Sequence, residues 1–163
     1  LIGADLMNLN KLEQLGSPVA SIGGDGTFAG LRAFVEGDLN HPAEARYAIP
    51  FIGVPKTIDT DLSGTEITFG YDTACSVVAE AADALRATAD AHRRVIVVET
   101  MGRTAGWIAL GGGLASYADV ILIPERPYNR QKLLDYVGSR QASGQRGLIA
   151  VVSEGAVAQG EEP

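Results

Sequence analysis

Two carboxylates stand two residues apart in the run Pro55-Lys56-Thr57-Ile58-Asp59-Thr60-Asp61. In an extended segment Asp59 and Asp61 would point the same way. One could accept a proton from an attacking hydroxyl while the other orients that base or a metal-bound water. An aspartate with an ordinary pKa of about 3.9 is already ionised at neutral pH, so it can act as a base without a large shift. Lys56 and Thr57 could neutralise and orient phosphate oxygens. The competing structural reading is a surface turn, with aspartate serving local backbone hydrogen bonds.

A second cluster, Gly23-Gly24-Asp25-Gly26-Thr27, is a glycine-rich turn after an apolar run. Exposed amides and a following helix N-terminus favour phosphate there. The spacing from Gly24 through Gly26 to Gly30 is one residue too long for G-x-G-x-x-G, and no G-x-x-x-x-G-K-[ST] loop is present. Asp25 among the glycines would repel a polyphosphate unless a cation lay between them, which points to Mg²⁺. Otherwise Asp25 is a helix N-cap. Arg103, in Glu99-Thr100-Met101-Gly102-Arg103-Thr104, falls where an apolar run meets a helical pattern, so a cation and a helix dipole would converge on one anion. The alternative for Arg103 is an ordinary ion pair, for instance with Glu99. Glu125 and Glu154 stand at two further strand ends, where acidic residues often cap helices. Cys75 and Trp107 fall on helical stripes and read as core. His41 and His92 have no partner spacing that would make either a base. Together these residues describe a polyphosphate donor, an oxygen-bound metal and a hydroxyl acceptor, which is phosphoryl transfer.

The elements that must position them follow from periodicity. Short apolar runs at Val19 to Ile22, Ile49 to Val54, Val95 to Val98, Val120 to Ile123 and Leu148 to Val152 read as buried strands. Between them Leu6 to Leu15, Phe28 to Glu36, Ala74 to Ala89, Thr104 to Ala115 and Gln131 to Ser139 carry helical spacing. In the third of these, Ala74, Val77, Val78, Ala81 and Leu85 form an apolar stripe. Glu36 to Tyr47 reads as a surface loop. Strands alternating with helices predict an α/β fold, a Rossmann-like parallel sheet with helices on both faces. In such sheets ligands bind beyond the carboxyl ends of the strands, where every polar motif above lies.

Composition bounds the rest. The chain has 163 residues and a formal charge of −7, from 20 acidic against 13 basic residues, so it lacks the basic footprint of a nucleic-acid binder. No apolar stretch approaches the roughly 20 residues of a membrane helix, and no signal segment opens the chain, which predicts a cytoplasmic protein. One cysteine and two histidines exclude an internal disulfide and leave no structural zinc set. Residues 1–163 read as a single α/β domain or a fragment, opening at Leu1 without an initiator methionine.

These motifs resemble the 6-phosphofructokinases, including the pyrophosphate-dependent branch. The resemblance rests on Gly23-Gly24-Asp25-Gly26-Thr27, Pro55-Lys56-Thr57-Ile58-Asp59-Thr60-Asp61, Met101-Gly102-Arg103, Ala105-Gly106-Trp107, Ile123-Pro124-Glu125 and Ser153-Glu154-Gly155-Ala156, in family order and spacing. It implies that Gly23, Gly24, Asp25, Gly26, Thr27 and Lys56 serve the Mg²⁺-donor site. Asp59 would be the base that takes the proton from the sugar 1-hydroxyl, supported by Asp61, which also serves the metal. Thr57 would contact the transferred phosphate and Arg103 would stabilise the transition state. Met101, Gly102 and Glu154 would hold fructose 6-phosphate. Arg94 matches an arginine that this family extends into a neighbouring subunit's pocket, so a homo-oligomer, dimer or tetramer, is implied.

Thr60 departs from the family's usual asparagine between the two aspartates. Glycine at position 26 goes in this family with room for ATP, whereas aspartate there crowds the nucleotide and goes with pyrophosphate. Lysine at position 56 is usual in pyrophosphate enzymes but also occurs in ATP-dependent ones. Removing a side chain opens space that a lysine elsewhere need not close, so ATP is the expected donor and pyrophosphate the alternative. A silent nucleotide-binding regulatory subunit is the reading from another class, and the intact Asp59, Asp61 and Arg103 argue against it. The resemblance further implies the central portion of a longer glycolytic enzyme, which alone would turn over little or not at all.

Overall fold

Each of the five apolar runs becomes a strand, and every strand pair is parallel. The computed structural model describes residues 19–24, 26–30 and 51–161. In order they form β1 (Val19–Gly23), β2 (Phe51–Pro55), α1 (Tyr71–His92), β3 (Val95–Thr100), α2 (Trp107–Ala115), β4 (Val120–Leu122), α3 (Arg130–Ala142) and β5 (Leu148–Ser153). The expected helix at Leu6 to Leu15, the loop at Glu36 to Tyr47, Asp25 and His41 lie outside the described residues. The chain divides into two compact units, Leu1–Lys56 and Thr57–Pro163.

In the first unit β1 and β2 pair from Val19↔Phe51 to Gly23↔Pro55. Residues 26–30 are helical, and the Phe28 ring closes on the Cα face of Gly53, where an added Cβ would lie 3.3 Å from Phe28 Cε1. A Cβ at position 53 would require the Phe28 ring to give by a few tenths of an ångström.

In the second unit the strand order is β3-β5-β4. Ala82, Ala89, Ala109, Ile149 and Val151 make the buried core, with Val78, Leu85, Ile96, Val98, Ile121 and Ile123 packed around it. Central β5 is buried along nearly its whole length, as a strand covered on both faces should be. Strand β3, which among the described residues pairs only with β5, instead alternates, leaving Val97 62 % exposed.

The α1 stripe is rotated from its expected position. It runs Cys75, Val78, Ala82, Leu85, Ala89, while Val77 is 59 % exposed and Ala81 faces solvent. Steps of three and four residues through Cys75 keep one face on the sheet, and Val77 lies about 100° per residue away from that line. Trp107, expected in the core, is the first residue of α2 and is 48 % exposed.

Three consecutive glycines in α2 are explained by close approach. A Cβ at Gly111 would fall 2.7 Å from Cys75 Sγ, one at Gly112 2.6 Å from Val78 Cβ, and one at Gly113 2.8 Å from Ile121 Cδ1. Glycine in a helix interior costs about 1 kcal/mol relative to alanine. Here it lets α2 lie directly on α1 and on the sheet. At the opposite end of the sheet, Asp119 Oδ2 accepts the Ile149 amide at 2.9 Å and Oδ1 accepts from Gln145 Nε2 at 2.7 Å, fixing the approach of β4 to β5.

Candidate active site

In the first unit the glycine turn is closed by backbone bonds. Gly24 O accepts from Thr27 N at 3.1 Å and Phe28 N at 3.2 Å, and Lys56 N donates to Gly23 O at 2.7 Å. Gly23 admits no side chain, since an added Cβ would lie 2.7 Å from the Thr27 side chain. A Cβ at Gly26 would meet none of the described residues within 4 Å. Gly26, Thr27 and Lys56 are exposed.

In the second unit the aspartate turn folds on itself and on the entry to α1. Thr57 Oγ1 accepts the Asp59 amide at 3.1 Å. The Thr60 and Thr68 hydroxyls lie 2.9 Å apart, and Thr65 Oγ1 donates to Leu62 O. Asp59 and Thr57 are half-buried and Asp61 is exposed. A half-buried carboxylate beside an exposed one suits a base held in place next to a group that meets solvent and ions.

The arginine turn is built by the pairing of β3 with β5, which sets Thr100 opposite Ser153. The turn closes through Ala105 N to Gly102 O at 2.8 Å, and Glu154 N returns to Thr100 O at 2.9 Å. Gly102 has φ +148° and Arg103 φ +54°. A Cβ at Gly102 would collide with Ala105 O, and one at Gly155 with Arg103 O. Glu154 Oε1 accepts both the Gly102 amide at 3.1 Å and the Arg103 amide at 2.7 Å. The carboxylate thus holds the loop in the form that leaves Met101 and Arg103 exposed.

Contacts link the aspartate turn to α1 and α1 to the start of α2. Ile58 lies against Gly70, where an added Cβ would be 3.0 Å from Ile58 Cγ2. Tyr71, the next residue, donates its hydroxyl to Trp107 O at 3.2 Å. Gly106, just before Trp107, gives its amide to Glu125 Oε1 at 2.8 Å, which is the helix-capping role open to a strand-end acid. These contacts lead from the aspartate turn to the N-terminus of α1, and from Tyr71 to the first residue of α2, four residues beyond Arg103; helix N-termini favour anions. Burial, foremost, and then the Cys75 hydrogen bond and the Cys75 and Asp72 charges push the Tyr71 phenol up from 10.0 to about 12. It stays a hydrogen-bond donor to α2 at any physiological pH.

Arg94 is placed elsewhere. Its amide donates to Ala89 O and its carbonyl accepts from Leu148 N, at the start of β3. The six residues of β3 put it about 20 Å from the arginine turn. Among the described residues no group of three or more His, Cys, Asp or Glu side chains is placed to hold a metal. Thr68 was not singled out by the sequence reading. Its one signal there is a β-branched hydroxyl residue just ahead of a helix.

The model of the family described as Phosphofructokinase matches residues 8–162. The chain is 47 % identical over 135 residues to "ATP-dependent 6-phosphofructokinase 2" of Clostridium perfringens, covering 83 % of this chain and 34 % of that protein. It is 53 % identical over 112 residues to "Pyrophosphate--fructose 6-phosphate 1-phosphotransferase" of Amycolatopsis methanolica, covering 69 % of this chain and 33 % of that one. Among solved structures, phosphofructokinase from Saccharomyces cerevisiae superposes with a TM-score of 0.75 at 33 % identity, covering 92 % of this chain and 22 % of that chain. The chain spans about a third of the length of the curated relatives it matches.

Proposed function

The chain belongs to the phosphofructokinase family, and from that membership we propose that the protein carrying it transfers the terminal phosphoryl group of ATP to the 1-hydroxyl of fructose 6-phosphate. The observation that supports this reading is the link from the Thr57–Asp61 turn through Ile58 and Gly70 to the start of α1, and from Tyr71 to Trp107 at the start of α2, the helix that follows the Met101–Arg103 turn. Asp59 takes the hydroxyl proton as the sugar oxygen bonds to the γ-phosphorus and the bond to the bridging oxygen of ADP breaks. Arg103 and the two helix ends balance the charge on the transferring oxygens. Thr57 orients the phosphate, while Met101, Gly102 and Glu154 hold the sugar phosphate. Arg94, exposed and remote from its own chain's turn, reaches into the pocket of a second copy in a homo-oligomer.

Gly23, Gly24, Gly26, Thr27 and Lys56 line the donor side. Asp25 and Asp61 would hold Mg²⁺, which when bound offsets phosphate charge. Their all-oxygen chemistry suits that ion, which is commonly held by one or two carboxylates plus phosphate oxygens and needs no larger protein cage. The setting is the cytoplasm. Among the described residues no helix is long and apolar enough to cross a membrane.

Pyrophosphate is the second reading for the donor, favoured by Lys56 and by the similarity to a pyrophosphate-named relative. The lack of a side chain at Gly26 favours ATP. The test is fructose 6-phosphate phosphorylation by the intact protein with Mg²⁺, comparing ATP and pyrophosphate at matched concentrations. Turnover with ATP alone is expected. Turnover with pyrophosphate alone would make Lys56 the decisive residue, and none with either would bring forward a silent nucleotide-binding subunit.

A further inference from the structure

Asp59 stands between two residues that both lean on the entry to α1. On one side Ile58 lies under Gly70. On the other the Thr60 hydroxyl meets the Thr68 hydroxyl at 2.9 Å, and Thr68 is only 4 % exposed. Thr60 also has φ +56°. Glycine and asparagine enter that left-handed region readily, and a β-branched residue does so only when its surroundings hold it there. A hydroxyl buried like that of Thr68 needs a hydrogen-bond partner, so each threonine gives the other a reason to stay.

We propose that the Thr60–Thr68 hydroxyl pair is a positioning device for the base, holding the turn in its left-handed form and thereby aiming the Asp59 carboxylate. Rotation about the Thr60 N–Cα bond turns Asp59 relative to Asp61, so one torsion sets the mutual direction of the two carboxylates. Thr68 precedes α1 by only three residues, which ties that torsion to a 22-residue helix rather than to a free loop. Thr60 and Thr68 touch no reacting atom in this scheme. Their effect passes through Asp59, and the proposal rests on the reading of Asp59 as the base.

The test is a double-mutant cycle in the intact protein, pairing Thr68→Val with Asp59→Asn. Valine keeps the shape of threonine and deletes the hydroxyl. Thr68→Val is expected to lower kcat by about tenfold to a hundredfold, as small displacements of a catalytic group do. KM for sugar phosphate and donor should stay within about twofold. Thr68→Ser, which retains the hydroxyl, should restore kcat, and in the Asp59→Asn background Thr68→Val should cost nothing further. Thr60→Val deletes the same bond from the other side and must reproduce the loss, which keeps the test decisive if Thr68→Val folds poorly. If Asp59→Asn removes turnover but both valine variants keep kcat within about twofold, the positioning proposal is wrong and the base assignment stands. If Asp59→Asn retains turnover, the base assignment itself is wrong. Equal losses for Thr68→Ser and Thr68→Val, or an unchanged cost of Thr68→Val without Asp59, would also overturn the proposal.

Discussion

Arg103 is fastened to Glu154 through its backbone: the Arg103 amide donates to Glu154 Oε1 at 2.7 Å, and the same oxygen takes the Gly102 amide at 3.1 Å. With Arg103 at φ +54° and Gly155 pressed against the Arg103 carbonyl, the carboxylate acts as a clasp on the loop. The register that sets Thr100 opposite Ser153 brings Glu154 to that position. An acid assigned to the sugar phosphate by resemblance thus has a second task, keeping the arginine loop in shape.

Removing the clasp should therefore loosen the loop as well as weaken binding. Glu154→Ala is expected to cost about 1–2 kcal/mol of stability, the scale of hydrogen bonds to a charged group at an exposed turn. It should also speed hydrogen exchange at the Gly102 and Arg103 amides, lower kcat and raise KM for fructose 6-phosphate. Glu154→Gln keeps a carbonyl acceptor and should lose less of each. Unchanged amide exchange in Glu154→Ala would contradict the clasp.

Donor choice should turn on the missing side chain at position 26. Gly26→Asp places a carboxylate where a Cβ meets none of the described residues within 4 Å, so the described part of the turn should tolerate it. The added side chain would occupy room that the nucleotide uses. The expected result is a loss of ATP-supported turnover by at least about tenfold, with pyrophosphate-supported turnover rising relative to it. An ATP rate within twofold of wild type would show that position 26 does not select the donor.

How much of this was legible in the sequence differs by element. The strands stood out because β-branched runs a few residues long leave little alternative, and the polar motifs beyond them followed from where parallel sheets bind ligands. The phase of the α1 stripe did not stand out, because alanines at positions 74, 81, 82 and 89 weigh alike in a periodicity count, and packing against α2 and the sheet selects among them. The tight packing of Gly111, Gly112 and Gly113 over Cys75, Val78 and Ile121 has no signal in the sequence, because the three neighbours come from other elements. Trp107 misled because a large apolar residue reads as core even when it opens a helix. The partners of Glu154 and Thr68 were out of reach for a different reason, since each depends on a contact between segments that only the folded chain brings together.

Arg94 offers a test of assembly. It opens β3 at the end opposite the arginine turn, about 20 Å away along the strand, so it cannot serve its own chain's Glu154 turn. Arg94→Ala in the intact oligomer is expected to raise KM for fructose 6-phosphate at least about tenfold, as loss of a charge-assisted phosphate contact does, while KM for ATP stays put. Unaltered sugar-phosphate affinity would end the cross-subunit proposal.

The most direct test of the whole account is the single-turnover rate of phosphoryl transfer to fructose 6-phosphate by Asp59→Asn in the intact protein, with Mg²⁺ and saturating donor. Asparagine keeps the size of the side chain and removes its capacity to take a proton. A fall of about 10²–10⁴-fold, with substrate binding retained, is the predicted result; a rate within a few-fold of wild type would contradict the assignment of Asp59 as the base and with it the mechanism drawn from this site.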